Sequence, residues 1–157
     1  MYDIEKLELA KVVYTDQLDE VYDAISNSDI RHSSFLVKIP SRDFLEERIA
    51  DDSILFFNVY YESVLIGYIL LEFRSQRTAD FHWGVTCKNK YLPKIIKDAF
   101  KKCCALELDT FIGWTPASNK LARKIAIDRI GFEEITVIDN YFTDGDGVML
   151  SKYINKR

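Results

Sequence analysis

The stretch FIGWTPASNKLA, residues 111–122, together with the later pair Gly131-Phe132, decides how this chain is read. Phe111, Ile112 and Trp114 are apolar and closely spaced, which predicts a short buried strand. Ser118 or Asn119 can then cap a helix by accepting a backbone N–H of the first turn. Leu121, Ala122, Ile125, Ala126 and Ile130 fall on one face of that helix. Gly131 supplies the left-handed residue that closes it.

Working outward, Leu92, Ile95, Ile96, Ala99, Phe100, Cys103 and Cys104 repeat with helical spacing, and Pro93 is tolerated in the first turn. Before them, residues 79–86 alternate Phe81, Trp83 and Val85 against Asp80, His82 and Gly84, as a strand does. Residues 54–61 and 64–73 are rich in β-branched and aromatic side chains and meet at Glu62-Ser63, the pattern of a hairpin. The three strands should form an antiparallel meander. Upstream, Pro40-Ser41 predicts a capped helix with Asp43 in its first turn and Phe44, Leu45 and Ile49 as its apolar stripe, ending near Asp51-Asp52. Residues 7–13 read as a first strand, and Thr15 or Asp16 as the cap of a helix carrying Leu18, Val21, Tyr22 and Ile25. The connection 27–39 holds either a short helix or a loop. At the other end, residues 135–142 and 148–154 flank TDGDG, residues 143–147, a hairpin loop by its turn chemistry. The expected order is β-α-α-β-β-β-α-β-α-β-β.

Composition narrows the class. A length of 157 residues suits one domain, residues 1–157, with a sizeable core. The six glycines are scattered, so neither a GxGxxG fingerprint nor a GxxxxGK[ST] loop is present, and Rossmann and P-loop nucleotide sites are excluded. Three cysteines without CxxC spacing and two distant histidines, His32 and His82, support neither a disulfide framework nor a metal site. A net charge of −4 with interspersed signs argues against nucleic acid as a partner. No apolar run approaches the roughly 20 residues of a membrane span, and MYDIEKLELA lacks signal-peptide layout, so a cytoplasmic protein is expected. An aromatic content of 13% leaves room for a surface that pairs two copies, so a homodimer stays open.

The element order resembles that of the GNAT N-acetyltransferases. Residues 64–71, VLIGYILL, are similar to that family's third strand, residues 79–85 to its fourth, and FIGWTPASNKLA with Gly131-Phe132 to its fifth strand, Asn-led helix and closing "GF". The resemblance implies an α/β (α+β) fold: a mixed, mostly antiparallel sheet of about six to seven strands flanked by about four helices, with a splay between strands 4 and 5. It implies acetyl-CoA as co-substrate and transfer of its acetyl group to a primary amine of a small molecule or protein. A bulged fourth strand would offer Val85 and Thr86 to the pantetheine amides. Lys88, Asn89, Lys90 and Tyr91, at a helix start, would hold the pyrophosphate, with Asn119 and Ala122 completing the cofactor site. Glu72, near the end of the third strand, and His82, on the polar side of the fourth, are the candidate acceptors of the amine proton, since an imidazole takes up and releases protons near neutral pH.

Each of these residues also has an ordinary structural role: Glu72 as a solvated strand end, His82 as a hydrogen-bonded sheet histidine, Asn119 as a plain helix cap, and residues 88–90 as a solvated turn. Tyr141 and Tyr153 are candidates for the acceptor side, among nine tyrosines. The sequence departs from the family pattern in three places. Residues 87–92, CKNKYL, stand where the family carries Q/R-x-x-G-x-G/A and contain no glycine. Ile127 stands where many members have a tyrosine. The Asn119-to-Gly131 spacing is about one residue longer than usual. The alternative is accordingly a GNAT-fold protein without catalysis, acting as a binding or structural accessory module.

Overall fold

Alternation, capping and turn chemistry set the elements of the computed structural model, which describes residues 11–27, 30–32, 40–86, 108–142 and 145–154. In chain order they are β1 (Lys11–Thr15), α1 (Leu18–Ser26), β2 (Ile30–His32), α2 (Arg42–Ala50), β3 (Ile54–Tyr61), β4 (Val64–Phe73) and β5 (Thr78–Thr86). Then follow β6 (Thr110–Pro116), α3 (Lys120–Lys124) running on as a π-helical segment (Ile125–Ile130), β7 (Glu133–Phe142) and β8 (Gly145–Tyr153). The short β2 adds one strand, so the third, fourth and fifth strands of the sequence comparison are β4, β5 and β6.

The strands form one eight-stranded sheet in the order β1-β3-β4-β5-β6-β8-β7, with β2 beside β5 off that path. The β5–β6 pair is parallel, whereas the meander β3-β4-β5 and the pairs β1–β3, β6–β8 and β7–β8 are antiparallel. Glu62 and Ser63 both take positive φ, 49° and 64°, the two-residue turn whose twist matches that of the flanking strands. Helices cover both faces. Val21, Ala24, Ile25 and Leu45 of α1 and α2 pack on Phe56, Tyr68 and Leu70. Ala122, Ile125, Ala126 and Ile130 pack on Leu71, Phe81 and Phe111 from the opposite side. Residues Ile66 to Leu71 of β4 are therefore buried without interruption, as a central strand with two covered faces requires.

Several expectations change. β1 runs to Thr15, and the expected residues 7–10 lie outside the described residues. Gln17, not Thr15 or Asp16, is the N-cap of α1, without a side-chain cap bond. Thr15 is engaged one step earlier: its Oγ1 accepts from the Gln17 N–H at 3.2 Å and donates to Glu20 at 2.6 Å. The connection 27–39 contains β2, while 33–39 are not among the described residues. Ser41 caps α2 as expected, accepting from Phe44 N–H. The helix expected around residues 92–104, with Cys103 and Cys104, lies outside the described residues. Gly145 and Gly147 belong to β8 rather than to a loop.

The expected bulge in β5 is absent. The β4–β5 register runs unbroken from Gly67–Val85 to Phe73–Ala79, and the irregularity falls between β3 and β4 at Val59/Tyr60. The reason is packing, because Gly84 lets two side chains close over the strand. A Cβ there would stand 2.6 Å from Tyr68 Cε1 and 2.8 Å from Ile30 Cγ2.

The long Asn119-to-Gly131 spacing is absorbed by the π-helical segment, a device that inserts one residue while keeping both ends in place. The N–H groups of Gly131 and Phe132 both reach Ala126 O at 2.9 Å. Gly131 closes the segment at φ +92°, where a Cβ is disfavoured and would also meet Lys152 Nζ at 2.8 Å. Gly131→Ala is expected to cost about 1–2 kcal/mol of stability, read as a lower urea midpoint with unchanged slope.

Candidate active site

The parallel ladder between β5 and β6 is short. It joins Thr78 to Thr110, Ala79 to Phe111 and Asp80 to Ile112. It is fastened at its start by the Asp109 and Thr110 N–H groups donating to Arg77 O, at 3.0 and 3.1 Å, and by the Arg77–Asp109 ion pair. Beyond Ile112, β6 stays with β8 as far as Pro116, while Gly84–Thr86 of β5 pair with β2. Phe81, His82 and Trp83 lie between the two ladders, at the splay. Phe81, Trp83, Gly113, Trp114 and Thr115, with Ala122 of α3, line the void left there, about 20 Å³, room for about one water molecule.

His82 belongs to the α1/α2 face, where charged groups converge although Asp80 and His82 are buried. Glu72 and Asp80 are cross-strand partners, and His82 Nε2 lies 3.8 Å from Glu72 Oε2. Arg48 of α2 reaches Glu72 Oε1 at 3.4 Å. Arg74 donates through Nε to Asp80 Oδ2 at 2.8 Å and also stands 4.0 Å from Glu72. The Glu72 carboxyl is held below the ordinary carboxylate range, first by the adjacent His82 and then by Arg74 and Arg48, against the desolvation that works the other way. Ligand atoms of Glu72, Asp80 and His82 come within 4.8 Å of one another. The guanidinium groups of Arg48 and Arg74 already meet the negative charge that a divalent ion would need there.

Tyr141 borders this cluster. Its phenol is pushed above the ordinary value, mainly by burial and then by Asp80. Its ring stacks on Trp114 with centroids 4.6 Å apart and planes 5° from parallel. The β7–β8 register breaks between Ile138 and Phe142 to place it there. Asn140 takes φ +54°, and its N–H donates to Asp146 Oδ1 at 2.9 Å. Gly147 leaves room for the ring: a Cβ at 147 would sit 2.8 Å from Tyr141 Cβ and Cδ1.

Of the residues singled out from sequence, Glu72 and His82 are brought together. Asn119 caps α3, its Oδ1 accepting from Ala122 N–H at 3.2 Å, and Ala122 faces the void at the splay. Val85 and Thr86 pair with Arg31 and Ile30. Lys88, Asn89, Lys90 and Tyr91 lie outside the described residues. Ile127 is exposed, as is Tyr153. Sequence reasoning passed over Asp80, Arg74 and Trp114. The one available signal was the pair of alternating polar positions, Glu72 and Arg74 against Asp80 and His82, on either side of one turn.

The sequence matches no protein-family model and no curated protein. Solved structures do match. Spermidine N-acetyltransferase from Vibrio cholerae, in complex with CoA and spermine, superposes with a TM-score of 0.74 at 17% identity, over 93% of this chain and 96% of that one. The chain has the GNAT fold. YncA from Salmonella typhimurium, with its cofactor acetyl-CoA, superposes with a TM-score of 0.68 at 12% identity, over 95% of this chain and 96% of that one. The Salmonella typhimurium acetyl transferase that modifies the N-terminal serine of ribosomal protein L7/L12 gives 0.67 at 8% identity, over 94% and 96%. In GNAT terms, the divergence of β5 and β6 is the splay expected between strands 4 and 5.

A carboxyl whose folded pKa lies below its unfolded one contributes stability above the unfolded value, and that contribution is lost as pH falls through the folded value. Below about pH 4.5 the melting temperature is therefore expected to fall more steeply for the native chain than for Glu72→Gln, measured by calorimetry across an acid series. Gly147→Ala is expected to unseat Tyr141 from Trp114. The effect to look for is a changed tryptophan emission and near-ultraviolet circular dichroism, with about 1–3 kcal/mol lost to overpacking.

Proposed function

We propose that the protein is an acetyl-CoA-dependent N-acetyltransferase that acts on a primary amine of a small molecule or a protein. The observation that carries this reading is the GNAT splay with a buried imidazole and a carboxylate beside it: His82 sits where β5 leaves β6, and Glu72 lies 3.8 Å from its Nε2. In the proposed reaction the amine nitrogen attacks the thioester carbonyl carbon, the new C–N bond forms and the C–S bond breaks. The amine proton passes to His82 or Glu72, and the CoA sulfur leaves as thiolate and takes up a proton. Low access to water around His82 strengthens the electrostatic coupling within the cluster. Trp114 and Tyr141 would wall the acceptor side.

The co-substrate would lie along β5 near Val85 and Thr86, with Lys88, Asn89, Lys90 and Tyr91 at its pyrophosphate and Asn119 and Ala122 at the far side of the cleft. Helix N-terminal amides and lysine charge favour an anion even without glycine in the loop. A cytoplasmic setting accords with three cysteines that lack CxxC spacing, and no helix among the described residues is long and apolar enough to cross a membrane. A homodimer is compatible with this reading. The void of about 20 Å³ at the splay favours a second reading, a GNAT-fold binding module that does not turn over acetyl-CoA.

Isothermal titration separates the two. Binding of acetyl-CoA is expected, and absence of heat at about millimolar cofactor, where even a weak site of this size of free energy would begin to fill, overturns the enzyme reading. With an acceptor found by screening a polyamine, an aminoglycoside and an N-terminal serine peptide, Glu72→Gln combined with His82→Ala is expected to lower kcat about 100-fold or more. A double variant at the native rate removes both residues from the proton path.

A further inference from the structure

Ile30 of β2 stands opposite Thr86, Arg31 opposite Val85 and His32 opposite Gly84. β4 already runs beside two of these residues, with Gly67 opposite Val85 and Tyr68 opposite Gly84. A strand has two hydrogen-bonding edges, so β2 lies on the edge that turns toward β6. β6 itself keeps register with β5 only as far as Asp80 and Ile112. That edge, past the end of the parallel ladder, is where the extended diamide arm of the proposed co-substrate would form strand-like hydrogen bonds. The chain's own backbone occupies it.

The attachment is short and has an identifiable anchor. β2 spans Ile30–His32, and Ile30 is 4% exposed, packed with Tyr68 over the missing side chain of Gly84. Three residue pairs make a ladder that can open locally without unfolding the sheet, since segments with few buried contacts open at a small fraction of the global cost.

We propose that β2 is an internal occupant of the acyl-carrier slot, and that binding of CoA or acetyl-CoA exchanges β2 for the pantetheine arm on the Gly84–Thr86 edge of β5. The apparent affinity for CoA is then lowered by the fraction of molecules in which β2 is still attached. The inference rests on the acetyltransferase reading.

Amide hydrogen exchange on the full chain, with and without saturating CoA, tests it together with titration of CoA into Ile30→Ala. The expected result is that residues 30–32 lose protection when CoA binds while residues 84–86 keep theirs, and that Ile30→Ala binds CoA about tenfold tighter. CoA bound by the native chain with protection at 30–32 unchanged or increased overturns the exchange and leaves the acetyltransferase reading standing. Ile30→Ala folded but binding no tighter does the same. No CoA binding by either protein overturns both. Should Ile30→Ala fail to fold, exchange in the native chain decides.

Discussion

Three parallel residue pairs, Thr78–Thr110, Ala79–Phe111 and Asp80–Ile112, join the sheet's two halves. On one side stand β1, β3, β4 and β5, on the other β6, β8 and β7. Parallel pairing is slightly weaker per residue than antiparallel pairing, and here it is held by side chains and backbone at one end. Ala79 and Phe111 are fully buried, and Arg77 receives two N–H groups while pairing with Asp109. Where that fastening ends the halves part, so the location of the splay follows from where those contacts stop. His82 is placed at the splay because it is two residues past Asp80 on the same face of β5.

The cluster around Glu72 balances charge over a short distance. Glu72 and Asp80 stand side by side on adjacent strands, an arrangement that repels, and Arg74 lies against both while Arg48 approaches Glu72 from α2. A buried Asp80 without Arg74 would carry the desolvation penalty of an unpaired carboxylate. The same arrangement holds the Glu72 carboxyl below the ordinary carboxylate range, next to the His82 ring. Across the groove, Gly147, Asn140 and Asp146 act together to place one tyrosine. Their effect is on where the Tyr141 ring lies.

Much of the fold is legible in the residues because local signals and long-range packing agree. The Ser41 cap, the Glu62-Ser63 turn, the uninterrupted apolar run of β4 and the closing Gly131 each have a local physical cause, and each recurs in the structure where expected. The disagreements have causes too. Gln17 stands as cap in place of Thr15 and Asp16, and the Thr15 hydroxyl, which donates to Glu20, accepts from the Gln17 N–H before the helix begins. β5 lacks its bulge because Tyr68 and Ile30 close over Gly84. Gly147 reads locally as a loop residue, but it leaves room for the Tyr141 ring from the neighbouring strand β7.

The sequence by itself determined the alternation of the meander strands, the Ser41 and Asn119 helix caps and the glycine-poor stretch at residues 87–92, because these depend on neighbours within a few residues of each other. It also singled out Glu72 and His82. Only the tertiary structure decided that these two meet, that Arg74 and Asp80 complete their surroundings, and that β2 lies on the edge of β5. Those are pairings between strands, and a strand's alternation specifies which face a side chain takes without specifying which strand lies beside it.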